Sequence, residues 1–250
     1  MRSEGKVSLV LTLLLAMAGC SSHDMATETA ERNAKIGDAA LSAGNPNVAL
    51  RLADDALARN PADTGALTRR GAALTALGRL AEARESLRKA VQNQPRNAQA
   101  QMAFGRVELP VDPAAAEAAF RTVLRQTEND AVALNDLGIA EDLQGHHTDA
   151  ETSYRAAIAA APDMTAARVN LALCLAIRGE ASEAIGLLRP LAESPDAARK
   201  VREDYAAVLA MAGERDKAQH ILASDMNANE VAPALDVLAS VRTAEANLTR

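Results

Sequence analysis

Residues 64–97 read TGALTRRGAALTALGRLAEARESLRKAVQNQPRN, and this stretch decides the fold. Gly78 separates two short amphipathic runs, and Pro95 follows the second run. Such runs are typical of short helices that end at a glycine or a proline. The small residues Gly71 and Ala83 lie where the two helices would cross closely. The stretch therefore predicts a tightly packed helix-turn-helix unit.

The pattern returns at intervals of about 34 residues, a period found in stacked helical repeats. Small residues equivalent to Gly71 are Gly37, Gly105, Gly138, Ala172 and Ala206. The turn glycine Gly78 has the equivalents Gly44, Gly145, Gly179 and Gly213, and Ala83 has the equivalents Ala49, Ala150, Ala184 and Ala218. Units in this phase begin near Ala30, Thr64, Ala98, Ala131, Thr165 and Arg199.

This spacing resembles the tetratricopeptide repeat, whose units have small residues at helix contacts and a proline near their end. The resemblance implies an all-α fold, a right-handed α-solenoid of about six repeats over residues 30–232. Residues 233–250 offer one more amphipathic helix, which would cap the end of the core. The composition agrees, because 48% of residues are apolar and only 2% are aromatic, which suits close contacts between helices.

Prolines predict irregular helices in the third and fifth units. Pro110 is expected to shorten the first helix of the third unit. Asp112 and Pro113 are expected to begin the next helix as its N-cap and its first helical residue. This turn is either a tolerated irregularity or a local bend or contact site. Pro190 lies late in a helix of the fifth unit and is expected to kink or end it.

The first residues of the chain predict export. Basic Arg2 and Lys6 precede an almost wholly apolar run from Val7 to Met17. A run of this length matches the core of a signal peptide and is too short to span a bilayer. Residues 1–19 are therefore predicted to be a signal peptide.

The sequence Met17-Ala18-Gly19-Cys20 resembles a bacterial lipobox. The resemblance implies diacylglycerol on the Cys20 thiol, cleavage before this residue and acylation of the new amine. Residues 20–29 would then form a lipidated tether to the membrane. Ser21, where retained lipoproteins have aspartate, favours the outer membrane at the periplasmic face of the envelope. The alternative is an ordinary signal peptide with an incidental cysteine.

No catalytic motif is present in the sequence, so no enzyme activity, cofactor or small-molecule substrate is predicted. The formal charge of −6 and the few aromatic residues argue against nucleic acid as a partner. Adjacent His146 and His147 suggest a metal site, but two neighbours in a turn cannot easily face one ion. No other ligand cluster is near in sequence, and the sequence predicts a solvated turn and no metal. Cys174 is expected to be a small buried residue without a disulfide partner.

Relatives of this repeat bind proteins on a concave surface lined by the first helix of each unit. By analogy, a partner-binding groove is predicted in units four to six at Asn135, Ile139, Leu143, Asn170, Leu173, Ile177, Asp204, Ala207 and Met211. Its apolar side chains and amides would suit an amphipathic helix or an extended segment of a protein partner. The alternative is that several of these residues belong to the core between repeats.

A narrower resemblance is to TadD, the repeat-bearing lipoprotein family of Tad (Flp) pilus systems. It depends on Asn135-Asp136-Leu137-Gly138, Asn170-Leu171-Ala172-Leu173, Leu187-Leu188-Arg189-Pro190-Leu191-Ala192, Lys200-Val201-Arg202 and Ala210-Met211-Ala212-Gly213. Asp204-Tyr205 departs from the Asn-Leu that this family often has. The resemblance implies a pilotin-like role, in which the lipoprotein helps to localise or assemble a secretin pore. The alternatives are a general periplasmic adaptor for envelope biogenesis or another secretion system, and a non-catalytic regulatory subunit.

Overall fold

A computed structural model describes residues 27–224, 226–227, 230–233 and 235–236. Within these residues the regular structure is helical and includes no β-strand. The predicted all-α fold of consecutive helix-turn-helix units is thereby confirmed. The predicted signal peptide and Cys20 lie outside the described residues, as do most of the tether and most of the predicted capping helix.

The helices follow one another with short turns. Helix α1 covers residues 27–42, so it already includes the last three residues of the predicted tether. The next helices are α2 (Pro46–Arg59), α3 (Thr64–Ala76), α4 (Leu80–Asn93), α5 (Ala98–Glu108), α6 (Pro113–Leu124), α7 (Ala131–Leu143), α8 (His147–Ala160), α9 (Thr165–Ile177), α10 (Ala181–Ala192), α11 (Arg199–Met211) and α12 (Arg215–Leu222). Residues 230–233 and 235–236 are also helical, so helix begins before Pro233, the predicted start of the cap. None of the helices in the described part of the chain combines the length and the apolar character needed to cross a membrane.

The described part of the chain forms two compact units, one that ends at Val107 and one that begins at Glu108. In the first unit, α2 packs on α3 and α3 packs on α4. In the second unit, each helix from α6 to α12 packs on the next, and α9 also contacts α7 and α11. The first helices of the predicted repeats four to six therefore lie side by side.

Glycines follow the first helix of five helix pairs, and the α5–α6 pair is the exception among the described residues. Gly44, Gly78, Gly145, Gly179 and Gly213 have φ angles between 72° and 86°. This left-handed conformation costs other residues about 1–2 kcal/mol because their Cβ clashes with the backbone. The backbone N–H of the following residue closes each turn, as Arg79 N does on Leu74 O at 2.9 Å. The prediction that the helices break at these glycines is confirmed.

Small residues allow the paired helices to cross closely, as predicted. A Cβ added to Gly71 would lie 2.4 Å from Leu87 Cγ, and a Cβ added to Gly138 would lie 2.6 Å from Tyr154 Cε1. The alanines at the second small position are fully buried, namely Ala49, Ala83, Ala150, Ala184 and Ala218. The repeat period is thus the spacing of these helix crossings.

The prolines act largely as predicted. Helix α5 ends at Glu108, before Pro110, and is shorter than α3 or α7. Asp112 is the N-cap of α6, where its carboxylate accepts a hydrogen bond from Ala115 N at 3.0 Å, and Pro113 is the first helical residue. Pro190 is accommodated inside α10, which continues past it and ends at Ala192.

Candidate partner-binding groove

The predicted groove residues fall on one face of each of three neighbouring helices. On α7 they are Asn135, Ile139 and Leu143, with Val132 one turn earlier. On α7 these residues are spaced by four and four, and on α9 and α11 they are spaced by three and then four. Residues three or four apart in an α-helix lie on the same side, so each set forms a continuous row.

The exposure of these residues differs between the helices. Leu143 is 55% exposed and Val132 is 42% exposed. Four further predicted residues on α7 and α9 are half-buried, namely Ile139, Asn170, Leu173 and Ile177. The remaining four are buried, namely Asn135, Asp204, Ala207 and Met211. The accessible part of the predicted groove therefore lies on α7 and α9.

The C-terminal part of helix α11 is buried on all sides. Every residue from Asp204 to Met211 is buried. Met211 belongs to the same hydrophobic cluster as Val231 and Leu235, which follow α12 in the chain. The repeat pattern makes α11 equivalent to α7, and the sequence therefore predicted that Asp204, Ala207 and Met211 line the groove. In the fold, Met211 belongs to the core, which is the alternative that the sequence left open.

Two asparagines link α7 and α9. Asn170 Nδ2 donates a hydrogen bond to Asn135 Oδ1 at 2.9 Å, and Asn135 Nδ2 donates to Asp136 Oδ1 at 3.2 Å. An asparagine amide has two donor hydrogens and two acceptor lone pairs, which is more capacity than these bonds use. Asn170 is half-buried, so solvent reaches part of this residue.

The buried carboxylate of Glu141 on α7 forms hydrogen bonds with residues of the neighbouring helices α6 and α8. The side chain of Glu141 is only 3% exposed. Ser153 Oγ donates to Glu141 Oε2 at 2.6 Å, and Arg121 Nη2 lies 3.2 Å from Glu141 Oε1. Burial raises the pKa of Glu141, although the bonds from Ser153 and Arg121 oppose this change. These bonds tie α6 and α8 to α7 and hold it in place.

A second polar cluster joins the end of α7, the start of α8 and the middle of α9. His147 Nδ1 lies 2.8 Å from Asp142 Oδ1, and Tyr154 Oη donates to Asp142 Oδ2 at 2.9 Å. Cys174 Sγ donates to the backbone oxygen of His147 at 3.3 Å. Burial raises the pKa of the Cys174 thiol and of the Tyr154 phenol, so both groups are protonated near neutrality.

This cluster was not predicted from the sequence. Cys174 is fully buried and is a free thiol, as expected. However, a carboxylate oxygen of Asp142, a ring nitrogen of His147 and Cys174 Sγ all lie within 4.8 Å of one another. Cys174 is 27 residues from His147 in the chain, and only the packing of α9 against α8 brings them together. All three residues occupy repeat positions that lie beside the same helix crossing. These positions were the signal in the sequence that could have identified the cluster.

A comparison with models of known protein families identifies the repeat. The family model described as tetratricopeptide repeat matches residues 35–107, 112–163 and 143–198. Among the curated proteins, none matches this chain.

Several solved structures resemble the fold. PilW, described as a widely conserved type IV pilus biogenesis factor, has a TM-score of 0.73 at 19% identity, over 84% of this chain and 98% of that chain. A tetratricopeptide repeat protein from Parabacteroides merdae has a TM-score of 0.67 at 18% identity, over 87% of each chain. MamA from Desulfovibrio magneticus RS-1 has a TM-score of 0.58 at 22% identity, over 64% of this chain and 92% of that chain. At these identities the likeness shows the fold alone.

Proposed function

Because the chain belongs to the tetratricopeptide repeat family, we propose that it is a protein–protein interaction scaffold whose partner binds the groove on α7 and α9. The observation that supports this proposal is the row of accessible apolar side chains on α7, Val132, Ile139 and Leu143, beside the Asn135–Asn170 amide pair. This combination suits a protein segment with one apolar face and a backbone that accepts or donates hydrogen bonds.

The apolar row sets the scale of the binding energy. Fully burying one Val or Leu side chain contributes about 1.5–3 kcal/mol. Val132 and Leu143 are about half exposed, so covering the rest of both would contribute roughly 1.5–3 kcal/mol together. Losing one of these contacts should therefore weaken binding by up to about tenfold, which corresponds to about 1.4 kcal/mol.

We further propose that the chain is a lipoprotein of the outer membrane, anchored through Cys20 at the periplasmic face. The lipobox-like Met17-Ala18-Gly19-Cys20 supports the anchor, and Ser21 supports the outer membrane. A lipid anchor would hold the groove close to the membrane without a membrane-spanning helix.

We assign the scaffold to pilus assembly of the Tad (Flp) type, with a pilotin-like role in localising or assembling a secretin. Two observations support this assignment. The first is the resemblance to TadD that begins at Asn135 and includes Leu187-Leu188-Arg189-Pro190-Leu191-Ala192. The second is the fold likeness to PilW, whose description is that of a pilus biogenesis factor.

Crosslinking in living cells tests the proposal. The full chain is expressed in its host, the envelope is crosslinked, and proteins captured with the chain are identified by mass spectrometry. A secretin or another pilus assembly protein is expected among them. Leu143→Glu should reduce its capture about tenfold or more, because it places a charge in the apolar row.

Leu80→Glu is the matched control. Leu80 is 43% exposed and begins α4, a second helix of its pair, far from the row on α7 in the chain. This variant should capture the partner as well as the unaltered chain does. Equal capture by Leu143→Glu and the unaltered chain would refute the groove. Capture of envelope proteins unrelated to pili would instead favour the general adaptor.

A further inference from the structure

We propose that Asp142, His147 and Cys174 form a binding site for one Zn²⁺ ion. The site is independent of the proposed partner and of the lipid anchor. A carboxylate oxygen, a ring nitrogen and a thiol sulfur come from three different helices and lie within 4.8 Å of one another. Carboxylate, imidazole and thiolate are the three donor types that proteins use to bind zinc.

The residues at this site depart from the repeat. In units one and two, the positions equivalent to Asp142, His147 and Cys174 are Leu41, Pro46 and Ala73, and Thr75, Leu80 and Val107. In unit five they are Ala176, Ala181 and Val208. The helix crossing thus forms elsewhere without any imidazole, thiol or carboxylate at these positions. Packing alone does not explain why units four and five place three metal-binding side chains together.

The separation of the nitrogen and oxygen donors is close to that of a zinc site. Zn–N and Zn–O bonds of about 2.0 Å at a tetrahedral angle place the nitrogen and the oxygen about 3.3 Å apart. His147 Nδ1 and Asp142 Oδ1 are now 2.8 Å apart, as a hydrogen bond. Moving them apart by roughly 0.5 Å, or using the other ring nitrogen, would give this separation. Cys174 Sγ, which lies within 4.8 Å of a donor atom of each of these two residues, would have to approach them to about 3.5 Å. The thiol of Cys174 loses its proton when it binds the ion.

Neighbouring residues orient the proposed ligands, and solvent can reach the site. Tyr154 Oη donates to Asp142 Oδ2, which leaves Oδ1 for the ion and orients the carboxylate. Hydrogen bonds of this kind from residues behind the ligands typically strengthen metal binding 10–100-fold. The side chains of His147 and Asp142 are 18% and 20% exposed, so solvent reaches the site and can supply the fourth ligand. The three residues would join the α7–α8 turn to α9.

Cobalt titration tests the site. The full chain carrying Cys20→Ser is used in detergent, so that Cys174 is its only thiol. Binding of Co²⁺ is followed by the near-ultraviolet charge-transfer band that appears only when a thiolate binds the ion. We expect one equivalent of Co²⁺ to produce this band and Zn²⁺ to abolish it by displacement.

The variants identify the ligands. Cys174→Ser should lose the band, and His147→Gln should weaken binding at least about tenfold. His146→Gln is the matched control, because this neighbouring histidine is exposed and is not in the cluster, and its affinity should be unchanged. Circular dichroism checks that each variant is folded, and Cys174→Ala replaces the serine variant if that one is not. Absence of the band, or equal affinities for His146→Gln and His147→Gln, would show that the cluster is a hydrogen-bonded structural element only.

Discussion

Replacing Gly71 with alanine is expected to destabilise the protein, although alanine favours helix more than glycine does. A Cβ at this position would lie 2.4 Å from Cγ, 2.6 Å from Cδ2 and 2.9 Å from Cδ1 of Leu87. Leu87 is 1% exposed, and its branching carbon is among the atoms that would have to move. A change of rotamer at the end of the side chain is therefore not enough to make room.

Two opposing contributions determine how much Gly71→Ala changes the free energy of unfolding. Inserting a methyl group into a packed core costs about 1–3 kcal/mol. Alanine in place of a helical glycine stabilises the helix by about 1 kcal/mol. Because three atoms of Leu87 lie within 3.0 Å, we take the upper part of the first range and expect a net loss of about 1–2 kcal/mol.

A double-mutant cycle isolates the contact. Leu87→Ala alone should cost about 2–5 kcal/mol through the cavity that it leaves. In that background the clash is absent, so Gly71→Ala should become neutral or stabilise the chain by up to about 1 kcal/mol. The free energies of unfolding come from urea titrations followed by circular dichroism. A coupling energy of about 1–3 kcal/mol is expected.

Gly186→Ala is the matched control. Gly186 lies within α10, and a Cβ added there would meet nothing within 4 Å. This variant should be more stable than the unaltered chain by about 0.5–1 kcal/mol. Equal effects of alanine at Gly71 and Gly186, or additivity in the double-mutant cycle, would refute the argument that close helix crossing fixes the small residues.

Three further predictions concern the core, a buried charge and the anchor. Ala83→Leu should destabilise the chain by about 1–3 kcal/mol in the same urea assay, because Ala83 is fully buried, and an unchanged midpoint would contradict its place at a crossing. Burial raises the pKa of Glu141 from 4.5, so the stability contributed by this group is present at lower pH and is lost as pH rises through the folded pKa. The free energy of unfolding of Glu141→Gln relative to the unaltered chain should therefore increase as pH rises above about 4.5, and a difference independent of pH would rule this out. Cys20→Ser should release the protein from the detergent phase of a membrane extract, and unchanged partitioning would refute the anchor.

The features predicted correctly from the sequence are those that recur with the repeat. Gly78 and its equivalents end helices because a left-handed turn favours glycine, and this requirement is local to each turn. Gly71 and Gly138 are small because the side chain of the paired helix, Leu87 or Tyr154, lies directly against them. The N-cap at Asp112 and the helix start at Pro113 also follow from local rules. Such features are repeated or local, so a single sequence is sufficient to identify them.

The exposure of the groove was not predictable in the same way. The template assigned equivalent roles to Leu143 on α7 and Met211 on α11, although one is 55% and the other 5% exposed. Met211 belongs to a core cluster that also contains Val231 and Leu235, which follow α12 in the chain, whereas Leu143 belongs to no such cluster among the described residues. A repeat template describes how neighbouring units pack, and it contains no term for the chain that follows the last unit.

The residues that depart from the repeat contain the most information about function. Where a position only has to fill a helix crossing, the chain uses an aliphatic or small residue, as at Ala73 and Val208. Cys174 occupies the same position beside Asp142 and His147, where burial makes an unpaired charge costly. A hydrophobic residue at this position would pack as well and would need no hydrogen-bond partners. Three side chains able to bind a metal therefore meet at one crossing of this chain, and the cobalt titration decides whether they bind a metal ion.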